Sequence, residues 1–140
     1  SDLGFKSATQ YHPFGWTYGG RPAGGRTHYG EACGISIAKW FATRDKASVV
    51  FFPGCAVGWD DSPRFGARSH IVTSRTPDQY ERLCRGARDF VSTQETKVVF
   101  LSSWNEWTED HVLLPDEEFG NGYLEAVKRA LASPQPDTPR

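Results

Sequence analysis

The densest set of reactive side chains is one decapeptide, Ser102-Ser103-Trp104-Asn105-Glu106-Trp107-Thr108-Glu109-Asp110-His111. Two glutamates stand three residues apart between tryptophans. Indole faces stack on the apolar C–H patches of sugar rings, and an asparagine amide can hold hydroxyls. Paired carboxylates suit glycosidic-bond chemistry, one protonating the departing oxygen while the other acts as base or nucleophile. Apolar indole surroundings favour the neutral form of a carboxyl, which a general acid at neutral pH requires. The competing reading of the same residues is a solvated strand end without a catalytic role.

Two further clusters carry suitable groups. In Pro53-Gly54-Cys55-Ala56-Val57-Gly58-Trp59-Asp60-Asp61-Ser62-Pro63-Arg64, Trp59 could form a sugar platform, while Asp60, Asp61 and Arg64 could bind hydroxyls. A calcium loop on Asp60 and Asp61 is disfavoured by the absence of alternating-carboxylate spacing. A plain Asp61–Arg64 pair is the structural alternative. In Tyr11-His12-Pro13-Phe14-Gly15-Trp16-Thr17-Tyr18, Tyr11 and Trp16 fit a saccharide lip, and packing beneath a long loop fits equally.

These clusters need elements to hold them. The runs 48–52 and 97–101 are short, apolar and β-branched or aromatic, without clean alternation, and predict parallel strands covered on both faces. Pro53-Gly54 is expected to turn the chain away from the sheet. A weaker strand spans 4–11. Thr76-Pro77-Asp78-Gln79 predicts a helix start with a capping box, followed by apolar Tyr80, Leu83, Cys84, Ala87 and Val91 at helical spacing. Further helices are expected over 29–42 and 120–132, the latter with Leu124, Val127 and Leu131 on one face. The tail 133–140 is Pro-rich and polar, and reads as a disordered terminus. Three strand–loop–helix units imply an α/β fold with a parallel sheet and function at the carboxyl ends of its strands. No phosphate-loop or dinucleotide pattern follows a strand.

Composition narrows the classes. The 140 residues carry 16 Lys+Arg against 17 Asp+Glu, a formal charge of −1, so there is no basic surplus for a phosphate backbone and nucleic acid is not an expected partner. No apolar run reaches the ~20 residues of a membrane span. Hydrophobic content of 38% with 14% aromatics suits an open polar cleft lined with rings. Cys33, Cys55 and Cys84 cannot all pair and read as free buried thiols in a reducing, cytoplasmic setting, with a nucleophilic Cys55 as the alternative. His12, His28, His70 and His111 show no metal-ligand spacing with them, and no cofactor is called for.

Ser103-Trp104-Asn105-Glu106-Trp107-Thr108-Glu109, then Leu113-Leu114-Pro115-Asp116, Phe119-Gly120 and Tyr123-Leu124-Glu125-Ala126, resembles the closing motif of the WbsX-like proteins, approximately AWNEWxEGxxLEPDxxxGxxYLE. Phe52-Pro53-Gly54 and Gly58-Trp59-Asp60-Asp61-Ser62-Pro63-Arg64 resemble the same family's FPG and GWDNTPR segments. These proteins are described as glycosyltransferases of polysaccharide biosynthesis and are related to the endo-α-mannosidases of glycoside hydrolase family 99. The resemblance spans about 4–132 and implies the C-terminal portion of a (β/α)8 barrel. It also implies that Glu106 is a base drawing the proton from a sugar 2-hydroxyl, and that Glu109 is the general acid and then base, with retention. Two positions depart from the motif. Asp110 replaces a glycine, which could alter or crowd Glu109, and Leu114 replaces a glutamate, removing any contact that side chain makes.

Three functions follow as expectations: a retaining glycosidase on α-linked, mannose-like glycans, a glycosyltransferase of surface-polysaccharide assembly, or a non-catalytic glycan-binding remnant. The partner in each is an oligosaccharide or polysaccharide. Three β/α units cannot close a barrel of eight and ~250 residues, so the missing N-terminal half or self-association is expected to supply the remaining strands.

Overall fold

Strands and helices alternate as the apolar patterning implies. A computed structural model of the chain describes residues 4–12, 14–15 and 24–132, so Trp16 and the proline-rich tail lie outside the described residues. Strands β1 (Ser7–Thr9) and β2 (Arg26–His28) precede helix α1 (Tyr29–Arg44). Strands β3 (Val50–Phe52), β4 (Gly54–Ala56), β5 (Trp59–Asp60) and β6 (Ile71–Thr73) precede α2 (Pro77–Ser92). Strands β7 (Phe100–Ser102), β8 (Asn105–Glu106) and β9 (His111–Val112) precede α3 (Gly122–Leu131).

The positioning ladder is parallel. β1 pairs with β3 from Ser7↔Val50 to Thr9↔Phe52, and β4 pairs with β7 from Gly54↔Phe100 to Ala56↔Ser102. Pro53-Gly54 does not turn the chain out of the sheet, contrary to the expectation from sequence. Pro53 keeps a carbonyl that accepts the Phe100 N–H at 3.0 Å. Its missing N–H falls where the pairing changes from β1 on one side to β7 on the other. Gly54 is required because a Cβ there would lie 2.7 Å from the Gln10 carbonyl oxygen. A second sheet, in the order β2-β6-β5, forms from the connections that lead into α1 and α2.

The helices cover one face of the ladder. Thr76 caps α2 by accepting the Gln79 N–H at 3.3 Å, while the Gln79 side-chain oxygen makes no return bond, so only half of the expected capping box forms. The apolar stripe Tyr80, Leu83, Cys84, Ala87 and Val91 is buried, together with Phe90. Phe90 meets Phe51 edge-on at 6.2 Å and Trp40 of α1 at 6.3 Å. The Tyr29 hydroxyl donates to the Ala56 carbonyl at 2.6 Å, tying the start of α1 to the end of β4. On α3 the fully buried stripe is Tyr123, Ala126 and Ala130, whereas Leu124, Val127 and Leu131 are only half-buried. Small alanines let the helix axes approach, so the larger residues sit on the flanks of the contact.

All three cysteines are free and buried. Burial pushes the Cys33 thiol up to about 12 and raises that of Cys55 well above its ordinary value. Cys55 sits inside β4 rather than in a turn, and a neutral, inaccessible thiol is no nucleophile.

Both faces of the strands were expected to be covered, and the structure differs. Phe51 is buried, but Val50 is 46% exposed, Phe100 45%, Val98 37% and Phe5 65%. The helices shield one face, and the described residues hold no second layer over the other. Burying a Val or Phe side chain is worth ~1.5–3 kcal/mol. The chain in isolation is therefore expected to self-associate through this face. Replacing Val50 and Phe100 together by Ser should weaken that association by about tenfold or more, since ~1.4 kcal/mol is a factor of ten. Sedimentation across a concentration series checks this, and a wild-type chain that stays monomeric throughout contradicts it.

Candidate active site

The decapeptide after β7 folds as a hairpin standing on the strand's carboxyl end. β8 and β9 pair antiparallel, with Asn105↔Val112 and Glu106↔His111 in register. The Leu113 N–H reaches the Ser103 carbonyl at 3.0 Å and the Trp104 carbonyl at 3.1 Å, closing the hairpin at its root. A 3-10 turn, Trp107–Glu109, links the strands, and Asp110 ends it in the left-handed region at φ 49°. The departure from glycine falls on the residue whose backbone favours glycine, and aspartate is among the few other side chains that tolerate this conformation.

This hairpin separates the two glutamates by environment. Glu109 is buried at 6% exposure, while Glu106 is half-buried on β8 and accepts a hydrogen bond from the Thr108 hydroxyl. The Tyr11 hydroxyl donates to Glu109 at 2.8 Å and in turn receives the Ser103 hydroxyl at 3.3 Å. Ser102 donates its hydroxyl to the Tyr11 carbonyl at 2.6 Å. Arg64, on the one-turn helix Ser62–Phe65, forms an ion pair with the same Glu109 carboxylate. Three successive connections thus meet at one side chain. The Asp61–Arg64 pair read from the sequence does not form. Arg64 contributes only a backbone N–H to the Asp61 carbonyl, at 3.0 Å, and sends its guanidinium to Glu109.

Trp59 is not an open sugar platform. It is 7% exposed, and the His12 ring stacks on it at 3.9 Å and 17°. Tyr11 meets Trp59 edge-on at 6.3 Å, and His111 packs against both rings. The residues from 11 to 18 therefore divide: Tyr11 is exposed beside Glu109, while Phe14 is wholly buried. Asp60 accepts the Ser62 N–H at 2.9 Å and so braces the loop. Trp104 and Trp107 are the open indoles, 57% and 61% exposed, with Asn105 exposed between them. Leu114 is half-buried and donates its N–H to the Trp104 carbonyl at 3.2 Å.

Two histidines beneath the carboxylates are held neutral. Burial lowers His12 to about 4, against a weaker opposing pull from the Asp61 charge. Burial and then the charge of His12 lower His111 to about 4, opposed by a Ser102 backbone hydrogen bond and by Glu106.

The sequence reading missed Arg75. Its guanidinium spans Asp110, at 2.8 and 3.0 Å, and the Tyr123 hydroxyl, at 3.0 Å. No local pattern marks it, since it lies just ahead of the Thr76 cap and its partners are about 35 and 48 residues away.

Two carboxylates, Glu106 and Glu109, and two open indoles, Trp104 and Trp107, thus stand at the carboxyl end of a parallel β/α ladder. The family model "Glycosyltransferase WbsX" matches residues 28–127, more than half of the chain, and the chain belongs to that family. Its relatives include the uncharacterized protein WxcX from two strains of Xanthomonas campestris pv. campestris, each 31% identical over 98 residues. That match covers 68% of this chain but 14% of the relative, so the chain spans only a small part of those proteins. A solved glycoside hydrolase-like protein superposes with a TM-score of 0.51 at 17% identity, over 73% of this chain and 30% of that one, which is a likeness of fold. Among the described residues, no helix is long and apolar enough to cross a membrane.

The buried histidines make a test of the packing. Between 6.5 and about 4 the unfolded chain binds protons that the folded chain refuses, so stability should be full above 6.5 and fall as pH drops through that window. Denaturant midpoints at about pH 7 and about pH 5 should separate clearly, and His111→Phe should narrow the gap by about half. Equal midpoints in the wild-type chain would show the two rings to be solvated.

Proposed function

We propose that this chain is the catalytic C-terminal portion of a (β/α)8 barrel that processes α-linked, mannose-like glycans with retention, using Glu106 and Glu109 as its catalytic pair. The observation that carries this reading is the convergence on Glu109. Tyr11 and Arg64, from two preceding β/α units, meet the buried carboxylate on the hairpin that also holds Glu106. Barrel enzymes keep their chemistry at that end of the strands. Trp104 and Trp107 offer stacking faces, Asn105 and Asp61 offer polar groups for hydroxyls, and the bare strand face awaits further barrel strands.

In this reading Glu106 takes the proton of the sugar 2-hydroxyl, and the freed oxygen closes onto C1. The bond from C1 to the leaving oxygen breaks as that oxygen takes the proton of Glu109, giving a 1,2-anhydro sugar. Glu109 then removes a proton from water, whose oxygen attacks C1, and Glu106 returns its proton to the 2-oxygen. Two inversions amount to retention. The two carboxyls act through the sugar's own oxygen, so the ~5–5.5 Å spacing of pairs with a carboxylate nucleophile does not apply. Arg64 and Tyr11 both donate to the resting Glu109 carboxylate, which suits an anion. To enter the cycle Arg64 must swing away and Glu109 must take up a proton from solvent; after the first turnover the attacking water restores that proton. The Arg64 side chain is 47% exposed, so solvent lies on the side to which it would turn.

A glycosyltransferase of polysaccharide assembly is the second reading, favoured by the description of the family model over residues 28–127. The test uses the full-length protein with aryl α-mannosides or α-mannosyl fluoride. Turnover with retention is expected, and Glu106→Gln and Glu109→Gln should each lower kcat by about 10²–10⁴-fold. Consumption of a sugar nucleotide without hydrolysis moves the assignment to the second reading. Glycan binding without turnover, unaffected by Glu106→Gln, removes both.

A further inference from the structure

We propose that Arg75 is a positioning residue for Glu109, acting through the left-handed turn at Asp110; this rests on the reading of Glu109 as catalytic. The carboxylate of Glu109 owes its direction to the turn that follows it. Between the paired residues Glu106 and His111 the chain reverses over four residues, and the last of them, Asp110, takes φ 49°. Aspartate tolerates that region less well than glycine does, so a contact that holds it there matters. Asp110 is the C-terminal cap of the 3-10 turn, its N–H directed to the Trp107 carbonyl at 3.3 Å. That single long bond is a weak clamp.

Arg75 is the stronger one. Its Nε donates to Asp110 Oδ2 at 3.0 Å and its Nη2 to Oδ1 at 2.8 Å, a fork-to-fork pair that fixes the plane as well as the place of the carboxylate. The guanidinium is anchored from behind. Nη1 donates to the Tyr123 hydroxyl at 3.0 Å and lies 3.8 Å from Asp116, and the guanidinium carbon sits 5.4 Å over the Tyr123 ring. Asp116 is itself fixed by accepting the Phe119 N–H at 2.6 Å. The arginine side chain is 19% exposed. Gly58 leaves the room: a Cβ there would lie 2.6 Å from the Asp110 carbonyl oxygen and 2.9 Å from Arg75 Cδ. The turn beside Glu109 is thus referred to α3 through one arginine from the preceding loop.

The alternative is that Arg75 merely ties α3 to the loops. The two roles separate because glycine takes a left-handed turn without a clamp. If Arg75 acts through Asp110, Asp110→Gly removes the need for it at the turn but cannot restore its bond to Tyr123. The experiment compares wild type, Arg75→Gln, Asp110→Gly and the double variant in the full-length protein. It reads the side-chain carboxyl carbon resonance of labelled Glu109, the melting temperature, and kcat and KM on α-mannosyl fluoride.

Arg75→Gln should move the Glu109 resonance, lower the melting temperature and reduce kcat by up to about a hundredfold with little change in KM. The double variant should recover the resonance and most of kcat while its melting temperature stays low. If Arg75→Gln does not fold, Arg75→Lys keeps a charge but not the fork, and should show the same displacement in part, again relieved by Asp110→Gly. An unmoved resonance overturns the proposal, as does a double variant in which resonance and melting temperature fail or recover together. If the wild-type protein turns over no glycan, the catalytic reading falls, while displacement and rescue of the resonance still establish the positioning.

Discussion

The convergence of distant segments on one site depends on the parallel pairing of the ladder strands. A strand followed by a helix, repeated, must send all its carboxyl ends the same way. With β1 beside β3 and β4 beside β7, the segments after Gln10, Ala56 and Ser102 leave the ladder on one side. Residues about 90 positions apart, Tyr11 and Ser102, therefore meet by hydrogen bonding although neither is near the other in sequence. The ladder strands β1, β3, β4 and β7 are only three residues long each, so the site is built almost wholly from the connections they release.

Within those connections, Glu109 is the point of convergence. A buried carboxylate needs partners, because a charge removed from water is costly unless it is paired and hydrogen-bonded. Tyr11 and Arg64 supply them from the two preceding connections, and the hairpin supplies the backbone. The same burial leaves His12 and His111 neutral beneath the carboxylates. The outcome is a polar cluster packed against an aromatic one, while Trp104 and Trp107 on the same hairpin stay exposed.

The Asp110 departure from the family motif acquires a physical meaning here. Asp110 occupies the left-handed position that glycine suits best, and Arg75 receives its charge. It does not crowd Glu109, because its carboxylate points to Arg75. On the open face of the ladder, Val50, Val98 and Phe100 are apolar but uncovered among the described residues.

The α/β order, the three helices and the grouping of Glu106, Glu109, Trp104 and Trp107 were legible in the residues alone. Local rules govern them: helical spacing, a Thr cap followed by Pro, and two short runs rich in β-branched and aromatic residues. Only the tertiary structure decided the rest, because it depends on contacts distant in sequence. It set the burial of Trp59 under His12 and the diversion of Arg64 from Asp61 to Glu109. It also carried Pro53 through the sheet and joined Arg75 to Asp110 and Tyr123. Composition shows which groups are present near a strand end. Which of them face each other is settled by strand register and by the demand that each buried charge find a partner.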